Sequence, residues 1–492
     1  MELPVDAHKE YLCNRITFWL NGQQVTSDIP PAQTTLEYLL QNVSLFGTKC
    51  SCNEGDCGAC TVVIADVLDA EVHYAAVNSC LYTAAKLQGK HLITIEGLGT
   101  PEHLHPIQQA MLDFHATQCG YCSPGFVMSM FALFASQLQP SEETILAALE
   151  GNLCRCTGYE SILNAARWLA SSITPAEVVP AWCREVEAQL MQEVTSSVVK
   201  STTDRLYPSQ RYHLPSSLHD LDALLAEEAD FVLINGGTDI MVQMNVLRRK
   251  YPVLIDLSGV AELQGIRQSD EVLSIGAAAT YSQISDSAFV QGNLPCLVEL
   301  ISQIASKQIR NFGTLAGNVA NASPIGDSLP LLLVLDAYLT LYSASGERVI
   351  ALADFFLDYR KTALKPREII KAVHIPIADS PAFIRFQKSA KRKAVDISSV
   401  VSAVFIREEN GIVRQARLAL GGVAAVPRLS RKFHNAMHNM ELTGLHLPEI
   451  AQYVASEFTP ISDVRGSNEY RSLLIRNHVL KYLQDFMQGR HI

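Results

Sequence analysis

The sequence predicts an α+β protein of several domains, and three observations support this prediction. At 492 residues the chain is too long for one core and is expected to form roughly three or four domains. Nine of its 12 cysteines lie between Cys50 and Cys156, a region that reads as short strands followed by helices. From about residue 210 the pattern changes to alternating strands and helices, which is typical of further mixed domains.

Composition and charge exclude several classes of protein. Apolar residues make up 48% of the chain and charged residues 18%, as in globular proteins. The formal charge of −11 argues against a nucleic-acid partner. The apolar run at residues 329–335 is too short to cross a membrane and ends at Asp336, so we expect a buried helix there. The opening "MELPVDAHKE" lacks the basic and apolar regions of an export signal, and we expect a cytoplasmic protein.

The first set of cysteines has the spacing of a metal-cluster loop. Cys52, Cys57 and Cys60 are separated by four and two residues, and Cys80 follows later in the chain. This is the spacing of plant-type ferredoxins, in which four thiolates hold a [2Fe–2S] cluster. Glycines between these cysteines let the loop curl tightly and aim N–H groups at sulfur. Cys50 is a competing ligand, but the spacing favours Cys52.

The segments around this loop predict a small β-grasp domain. We expect "RITFWLNGQQVTSD" to form a hairpin that turns at Asn21-Gly22. "TTLEYLLQNV" is expected to form a short helix, and "TVVIADV" and "HLITIEG" are expected to form strands.

The second set of cysteines consists of two pairs, Cys119 with Cys122 and Cys154 with Cys156. A single residue between Cys154 and Cys156 disfavours a disulfide between them. Each pair lies between two predicted helices, so two antiparallel helix pairs bring the four thiols to one end of a bundle. The helices are expected to begin near Pro106, after Pro124, after Ser141 and at Gly158. The expected metal centre is a second [2Fe–2S] cluster, with a structural zinc ion as the alternative.

Two later segments contain glycine turns that could accept a ligand. "FVLINGGTDI" reads as a strand that enters a glycine turn, where backbone N–H groups can approach a pyrophosphate. An ordinary turn is an equal alternative. In residues 309–337, Gly313 and Gly317 allow close approach to the backbone, and Asp327 precedes the apolar run. The alternative there is a polar loop that caps a core helix.

Three cysteine segments resemble the iron–sulfur portion of the molybdenum hydroxylases, the family of xanthine dehydrogenase and aldehyde oxidase. They are "CNEGDCGAC", "QCGYCSPGFVMSM" and "GNLCRCTGY", and they occur in the family's order. The resemblance implies two [2Fe–2S] clusters, held by Cys52, Cys57, Cys60 and Cys80 and by Cys119, Cys122, Cys154 and Cys156. It also implies that the bundle cluster lies beside a molybdopterin, which Gln118 would approach, and that the other cluster lies nearer the flavin.

The two glycine segments resemble the family's flavin-binding domain, a fold of two α+β subdomains of the vanillyl-alcohol-oxidase and MurB type. The FAD contacts that the resemblance implies are Leu233, Ile234, Asn235, Gly236, Gly237, Thr238, Asp239, Ile240, Thr314, Leu315, Ala316, Gly317, Asn318, Asp327, Ile370 and Lys388. Lys388 begins a basic run with Lys391, Arg392 and Lys393. Such runs are usually solvated, and we expect only Lys388 to approach the flavin or a dinucleotide phosphate.

The same resemblance, extended to the C-terminal segment "DVRGSNEYRSLLIRNHVL", yields a division of the chain. The expected parts are a ferredoxin-like domain at 11–98, a helical [2Fe–2S] domain at 99–175, a linker at 176–208 with one helix near residues 182–193, an FAD-binding domain at 209–378 and a C-terminal α+β flavoprotein domain at 379–492.

The family's molybdopterin region has no counterpart in this sequence, which is similar to the small subunit of two-chain bacterial xanthine dehydrogenases. The resemblance implies that electrons pass from molybdenum on a large partner chain, through two clusters and FAD, to NAD⁺, as hypoxanthine and xanthine become urate. It implies two small and two large chains.

None of the 14 histidines lies in a recognisable catalytic motif, and we expect no catalytic acid–base residue. One alternative is the small subunit of another molybdenum hydroxylase, acting on an aldehyde or N-heterocycle. The other is a zinc-stabilised scaffold without redox activity.

Overall fold

The computed structural model describes residues 14–195, 210–269, 271–377, 381–442 and 446–489. It is a mixed α+β structure, as predicted, and it divides into two compact units. The first unit comprises the chain up to Ala261 together with Ser306–Phe312. The second comprises Glu262–Ala305 and the chain from Gly313 onward. Segments of the predicted FAD-binding domain therefore belong to both units.

A five-stranded sheet of order β2-β1-β5-β3-β4 forms the ferredoxin-like part of the first unit. Its strands are β1 Asn14–Leu20, β2 Gln23–Ile29, β3 Thr61–Leu68, β4 Glu71–Asn78 and β5 His91–Ile93. Helix α1, Thr35–Gln41, follows β2, and a 3-10 turn, Ala84–Leu87, precedes β5. The predicted hairpin is confirmed: β1 and β2 pair around Asn21 and Gly22, whose φ angles are 47° and 86°.

The strand predicted over "HLITIEG" is shorter than expected. It ends at Ile93, and the short helix α2, Ile95–Leu98, follows. The reason is a side chain on the neighbouring hairpin, because the N–H of Thr94 donates to Asn21 Oδ1 at 2.9 Å. This hydrogen bond uses the N–H of Thr94 that would otherwise have continued the backbone pairing of β5.

Strand β3 is buried on both faces of the sheet. Val62 and Ile64 lie in one core cluster, whereas Val63 and Ala65 lie in another with the bundle helices. This placement explains why "TVVIADV" is apolar almost throughout and does not alternate.

The four predicted bundle helices are present in the first unit. They are α3 Pro106–Asp113, α4 Ser123–Ser136, α5 Glu142–Leu149 and α6 Glu160–Ser172. Ser141 caps α5 as expected, since its Oγ accepts a hydrogen bond from the N–H of Thr144 at 3.2 Å.

Two further helices occupy the segment for which we expected a linker. They are α7 Pro175–Val178 and α8 Ala181–Thr195. Cys183, Val186 and Leu190 of α8 are buried. The described part of this segment therefore packs into the first unit, and residues 196–209 lie outside the described ranges.

A three-stranded parallel sheet of order β6-β8-β7 completes the first unit. Its elements are β6 Arg211–His213, α9 Leu218–Glu227, β7 Val232–Ile234, α10 Thr238–Asn245 and β8 Val253–Asp256, with short helices at Leu257–Gly259 and Lys307–Arg310. Tyr212, Ile234 and Leu254 share a core with Phe18 and Leu92 of the ferredoxin-like sheet.

The second unit contains antiparallel sheets of order β12-β11-β15-β10-β9 and β16-β17-β18-β19, and the hairpin β13-β14. The strands are β9 Ile266–Gln268, β10 Val272–Gly276, β11 Tyr338–Ser343, β12 Gly346–Ala351, β13 Phe356–Asp358, β14 Lys361–Thr362, β15 Ile369–Pro376, β16 Phe383–Ser389, β17 Val400–Glu409, β18 Ile412–Gly421 and β19 Arg428–Leu429.

Its helices are Tyr281–Asp286, Ala288–Asn293, Pro295–Ser302, Leu315–Asn321, Ser328–Val334, Leu352–Phe355, Arg431–Met437, Leu447–Ala455 and Asn468–Met487. Every residue of Ser328–Val334 is buried, which confirms the predicted core helix. Across the described ranges, no helix combines the length and the apolar character that a membrane crossing requires.

Candidate functional site

The first cysteine loop lies between α1 and β3, and the sheet brings its distant member to it. Cys60 directly precedes β3, and Cys80 lies just beyond the end of β4. Because Thr61 pairs with Asn78 in the antiparallel ladder, both cysteines emerge at the same end of the sheet. Gly55 and Gly58 have φ angles of 86° and 67°, so the loop uses their left-handed conformations to curl, as the sequence predicts.

The four thiols of this set approach one another in two close pairs. A hydrogen bond between Cys52 and Cys57 lowers the pKa of Cys52 to about 5 and raises the pKa of Cys57. A hydrogen bond between Cys60 and Cys80 lowers the pKa of Cys60 and raises that of Cys80. In each pair the hydrogen bond thus favours the thiolate of one cysteine over that of the other, whereas a bound metal would draw all four to the thiolate form.

Cys50 lies near these thiols but belongs to neither pair. Burial raises its pKa, and the charges of Cys60 and Cys52 raise it further. The carbonyl oxygen of Cys50 accepts a hydrogen bond from the Tyr121 hydroxyl. The arrangement supports Cys52 over Cys50 as the ligand.

The second set is brought together by the ends of the bundle helices. Cys119 and Cys122 lie between α3 and α4, and Cys154 and Cys156 lie between α5 and α6. Burial and a hydrogen bond to Cys154 raise the pKa of Cys122 to about 12, and a hydrogen bond to Cys119 raises the pKa of Cys156. The close pairs are therefore Cys122 with Cys154 and Cys119 with Cys156, so each pair joins the two loops.

Polar groups around Cys154 favour its thiolate. Its Sγ lies 3.2 Å from Thr157 Oγ1, and it accepts hydrogen bonds from the N–H groups of Cys156 and Thr157 at 3.4 and 3.5 Å. Burial opposes ionisation of this thiol, but these hydrogen bonds prevail and lower the pKa of Cys154.

The pairing of the thiols discriminates between the two kinds of metal centre. Within the described ranges, no three histidine, cysteine, aspartate or glutamate side chains converge as a single metal ion would require. A tetrahedral zinc ion needs four donor atoms, from cysteine, histidine or carboxylate side chains, arranged around a single point. Two iron atoms bridged by sulfide each need a pair of cysteines, which matches the arrangement in both sets. The residues present therefore fit two [2Fe–2S] clusters.

The two cysteine loops are in direct contact within the first unit. The N–H of Leu153 donates to the carbonyl oxygen of Cys57 at 2.9 Å, and Asn152 Nδ2 donates to the carbonyl oxygen of Gly58 at 3.1 Å. A Cβ added to Gly58 would lie 2.3 Å from the oxygen of Gly151. Asn152 is not among the residues predicted from the sequence, and its position in "GNLCRC", beside a cysteine pair, is the signal that could have identified it.

One end of the bundle remains exposed around the second set. Gln118, Cys119 and Cys156 are exposed, and Tyr121 and Leu153 are large hydrophobic side chains in the same loops with 47% and 38% exposure. The structure thus places Gln118 next to the second cysteine set.

The predicted flavin contacts at residues 233–240 lie in the first unit. Residues 233–240 run from the end of β7, through a turn at Asn235, Gly236 and Gly237, into α10. Gly237 has a φ of 85°, and an added Cβ would meet only Met241 Cγ, at 3.6 Å. Gly237 supplies the left-handed conformation by which a glycine turn can bring backbone N–H groups against a pyrophosphate, while Gly236 is buried and Gly237 half-buried.

Other predicted flavin contacts lie in the second unit, where several of them come together. Lys388 Nζ lies 2.7 Å from Asp327 Oδ2 and donates to the carbonyl oxygen of Gln303 at 2.8 Å. Asp327 Oδ1 also accepts a hydrogen bond from Ser398, a residue that was not predicted from the sequence. Asn318 joins this group, because its Oδ1 accepts from Ser328 Oγ at 2.7 Å.

The remaining predicted contacts flank this group. Thr314 caps the Leu315–Asn321 helix, since its Oγ1 accepts from the N–H of Gly317 at 3.1 Å. The helix packs against β15, which contains the buried Ile370. Lys391, Arg392 and Lys393 are exposed, as expected of a solvated run, whereas the Lys388 side chain is only 3% exposed.

Four family models match the chain in succession. They are a 2Fe-2S iron-sulfur cluster binding domain at residues 18–85, a [2Fe-2S] binding domain at 94–167, an FAD binding domain in molybdopterin dehydrogenase at 207–378 and a CO dehydrogenase flavoprotein C-terminal domain at 385–486. Their order is the one expected from the motifs.

Curated relatives match across nearly the whole chain. Xanthine dehydrogenase of Drosophila subobscura is 30% identical over 95% of this chain, and that of Emericella nidulans is 32% identical over 83%. Aldehyde oxidase 2 of Cavia porcellus is 30% identical over 96% of this chain. The chain spans 39%, 34% and 40% of the length of these relatives, respectively.

Solved structures of similar fold match part of the chain. A carbon monoxide dehydrogenase chain from Hydrogenophaga pseudoflava is 27% identical, with a TM-score of 0.55, over 58% of this chain and 100% of its own. A chain of quinoline 2-oxidoreductase from Pseudomonas putida 86 is 28% identical, with a TM-score of 0.53, over 58% of this chain and 99% of its own.

Proposed function

This chain belongs to the molybdenum hydroxylase family, and we propose that it is the iron–sulfur and FAD part of a xanthine dehydrogenase. In this proposal, electrons from a molybdenum centre on a partner chain reach FAD through two [2Fe–2S] clusters and leave as hydride to NAD⁺. Substrate oxidation would occur on the partner, and we therefore expect no catalytic acid–base residue in this chain.

The observation that carries the proposal is the direct contact between two complete sets of four cysteines. The N–H of Leu153, the neighbour of Cys154 in the second set, donates a hydrogen bond to the carbonyl oxygen of Cys57, a member of the first set. Such a contact brings two clusters close enough for electron transfer. Two structural zinc ions exchange no electrons and gain nothing from it. The zinc-stabilised scaffold is therefore the weaker interpretation.

The chain's own residues would hold the proposed cofactors and set their reduction potentials. Cys52, Cys57, Cys60 and Cys80 would hold one cluster, and Cys119, Cys122, Cys154 and Cys156 would hold the other. N–H groups aimed at sulfur, such as those of Cys156 and Thr157, stabilise negative charge and so raise a cluster's reduction potential. When bound, the clusters supply one-electron steps and FAD supplies the conversion to a two-electron hydride step.

The exposed bundle end is the proposed face toward the molybdenum partner. Gln118 and the exposed cysteines Cys119 and Cys156 lie there, and Tyr121 and Leu153 supply apolar surface of the kind found in protein interfaces. We propose that Gln118 contacts the partner's molybdopterin and that the complex contains two small and two large chains.

A second candidate is another enzyme of the same family. The similar solved structures include a carbon monoxide dehydrogenase and a quinoline 2-oxidoreductase, and the relatives include an aldehyde oxidase. The substrate would contact the partner chain, so the residues of this chain do not select among these substrates.

The test begins with the purified chain, reconstituted with iron, sulfide and FAD. It should be brown, and NADH should reduce its flavin and an artificial electron acceptor, whereas xanthine should not. Addition of the partner chain should confer xanthine-dependent NAD⁺ reduction. A colourless chain with stoichiometric zinc would overturn the redox proposal. A complex that oxidised quinoline, an aldehyde or carbon monoxide but not xanthine would support the second candidate.

A further inference from the structure

A buried lysine joins the ferredoxin-like part of the first unit to the glycine turn before α10. Lys86 lies in the Ala84–Leu87 turn and is 6% exposed. Its Nζ donates to the carbonyl oxygens of Asn235 at 2.6 Å and Gly236 at 3.3 Å. It also lies 3.2 Å from Asp256 Oδ2. The three hydrogens of the ammonium group therefore have three acceptors within reach.

The carboxylate of Asp256 is itself held by several partners. Asp256 is fully buried, and it accepts hydrogen bonds from the Tyr212 hydroxyl and, at 2.9 Å, from the N–H of Ser258. Tyr212 Oη also lies 2.9 Å from Thr83 Oγ1, in the ferredoxin-like part. Burial lowers the pKa of Lys86, and Asp256 opposes that shift. A buried ion pair contributes little net stability, so its presence here calls for another reason.

The reason is the orientation of the peptide groups in the turn. In a trans peptide, the C=O and N–H groups point in opposite directions, and the described residues contain no cis peptide. The carbonyl groups of Asn235 and Gly236 point toward Lys86. The N–H groups of Gly236 and Gly237 therefore point away from it. These are the donors that a pyrophosphate needs in a glycine turn.

The far end of α10 is also bound to the ferredoxin-like part. Asn245 Nδ2 donates to the carbonyl oxygen of Cys80 at 2.8 Å and to that of Asn53 at 3.2 Å. Cys80 and the neighbour of Asn53, Cys52, are proposed cluster ligands. The turn and the helix that follows it are thus held at both ends by the ferredoxin-like part.

We propose that Lys86 is a positioning residue that presents the Gly236 and Gly237 N–H groups to the FAD pyrophosphate, and that FAD affinity consequently depends on the ferredoxin-like part. This inference rests on the proposed FAD site. Lys86 would contact neither FAD nor the cluster, and would act through two carbonyl groups of the turn.

The first test compares two lysine variants of the full-length chain. Lys86→Met should raise the FAD dissociation constant by about tenfold or more, as expected when hydrogen bonds to a charged group are lost. The electron paramagnetic resonance signals of both clusters should remain. Lys90→Met is the matched control, because Lys90 pairs with Asp66 in the same part of the chain. Its FAD dissociation constant should stay within about twofold of the wild-type value.

A second variant separates positioning from stability, because Lys86→Met alone leaves a buried carboxylate without its cation. Lys86→Met/Asp256→Asn removes both charges and should recover most of the lost thermal stability. It should still bind FAD weakly, since the carbonyl groups of the turn remain without the ammonium group. In the FAD-free protein, the amide hydrogens of Gly236 and Gly237 should exchange faster in both variants than in wild type.

Two outcomes would overturn the role of Lys86. One is an FAD dissociation constant within about twofold of wild type in both Lys86 variants. The other is recovery of FAD affinity together with stability in the double variant. A wild-type chain that bound no FAD would instead overturn the proposed function.

Discussion

The backbone N–H of Leu153 donates a hydrogen bond to the carbonyl oxygen of Cys57 at 2.9 Å. Leu153 adjoins Cys154 of the bundle set, and Cys57 belongs to the ferredoxin-like set. One hydrogen bond and a few covalent bonds therefore connect a proposed ligand of one cluster with a proposed ligand of the other.

The two cysteine sets should be separable by single substitutions, because they share no residue. The wild-type chain should bind about four iron atoms, and Cys154→Ser should remove the bundle cluster while the other remains. Cys50→Ser should leave both clusters, since Cys50 belongs to neither close pair of thiols. Iron analysis and electron paramagnetic resonance of the reduced protein provide the measurement. Loss of the ferredoxin-type signal in Cys50→Ser would show that Cys50 is a ligand.

The contact between the loops should tolerate no side chain at Gly58. A Cβ there would lie 2.3 Å from the Gly151 oxygen, and φ is 67°, so Gly58→Ala should cost about 3 kcal/mol or more. Gly89→Ala is the matched control, because Gly89 has a φ of 71° but no atom within 4 Å of the added Cβ. It should cost only about 1 to 2 kcal/mol. Thermal unfolding and cluster signals test the pair, and equal losses would refute the close packing.

Disruption of the bundle cluster should separate two activities of the proposed complex. Flavin reduction by NADH requires only the FAD site, so Cys154→Ser should retain it. Electron transfer from the partner's substrate to NAD⁺ should fall at least about a hundredfold, because its path begins at the bundle end. Stopped-flow absorbance of the flavin and steady-state NADH production measure the two activities. Full substrate-dependent NAD⁺ reduction in this variant would contradict the proposed order of the path.

Lys388 should matter for flavin binding, whereas its exposed neighbour should not. Lys388→Met leaves Asp327 without its cation and should lower the stability of the second unit by about 3 kcal/mol. It should also weaken FAD binding about tenfold or more. Lys391→Met should change stability by less than about 0.5 kcal/mol, since Lys391 is exposed. FAD titration by fluorescence and thermal unfolding compare the variants. Similar FAD affinity in the two would remove Lys388 from the proposed site.

Local patterns in the sequence predicted the elements correctly wherever neighbours in sequence decide the structure, and the same patterns named the candidate ligands. The x4–x2 spacing, the Asn21-Gly22 turn and the Ser141 cap all act within a few residues. The helices of the bundle were predictable for the same reason, because their apolar positions repeat at helical spacing. The end of β5 at Ile93 was not, since the Asn21 side chain that ends it comes from a distant part of the chain.

The sequence by itself therefore determined which cysteines form each set and which segments contain the glycine turns. Only the tertiary structure decided how the thiols pair, that Leu153 meets Cys57, and that Lys86 in the Ala84–Leu87 turn reaches the carbonyl groups of Asn235 and Gly236. The physical reason is that spacing constrains backbone geometry over a few residues. Contacts such as that between Lys86 and Asp256 depend on burial of charge across separate elements, and no local pattern encodes them.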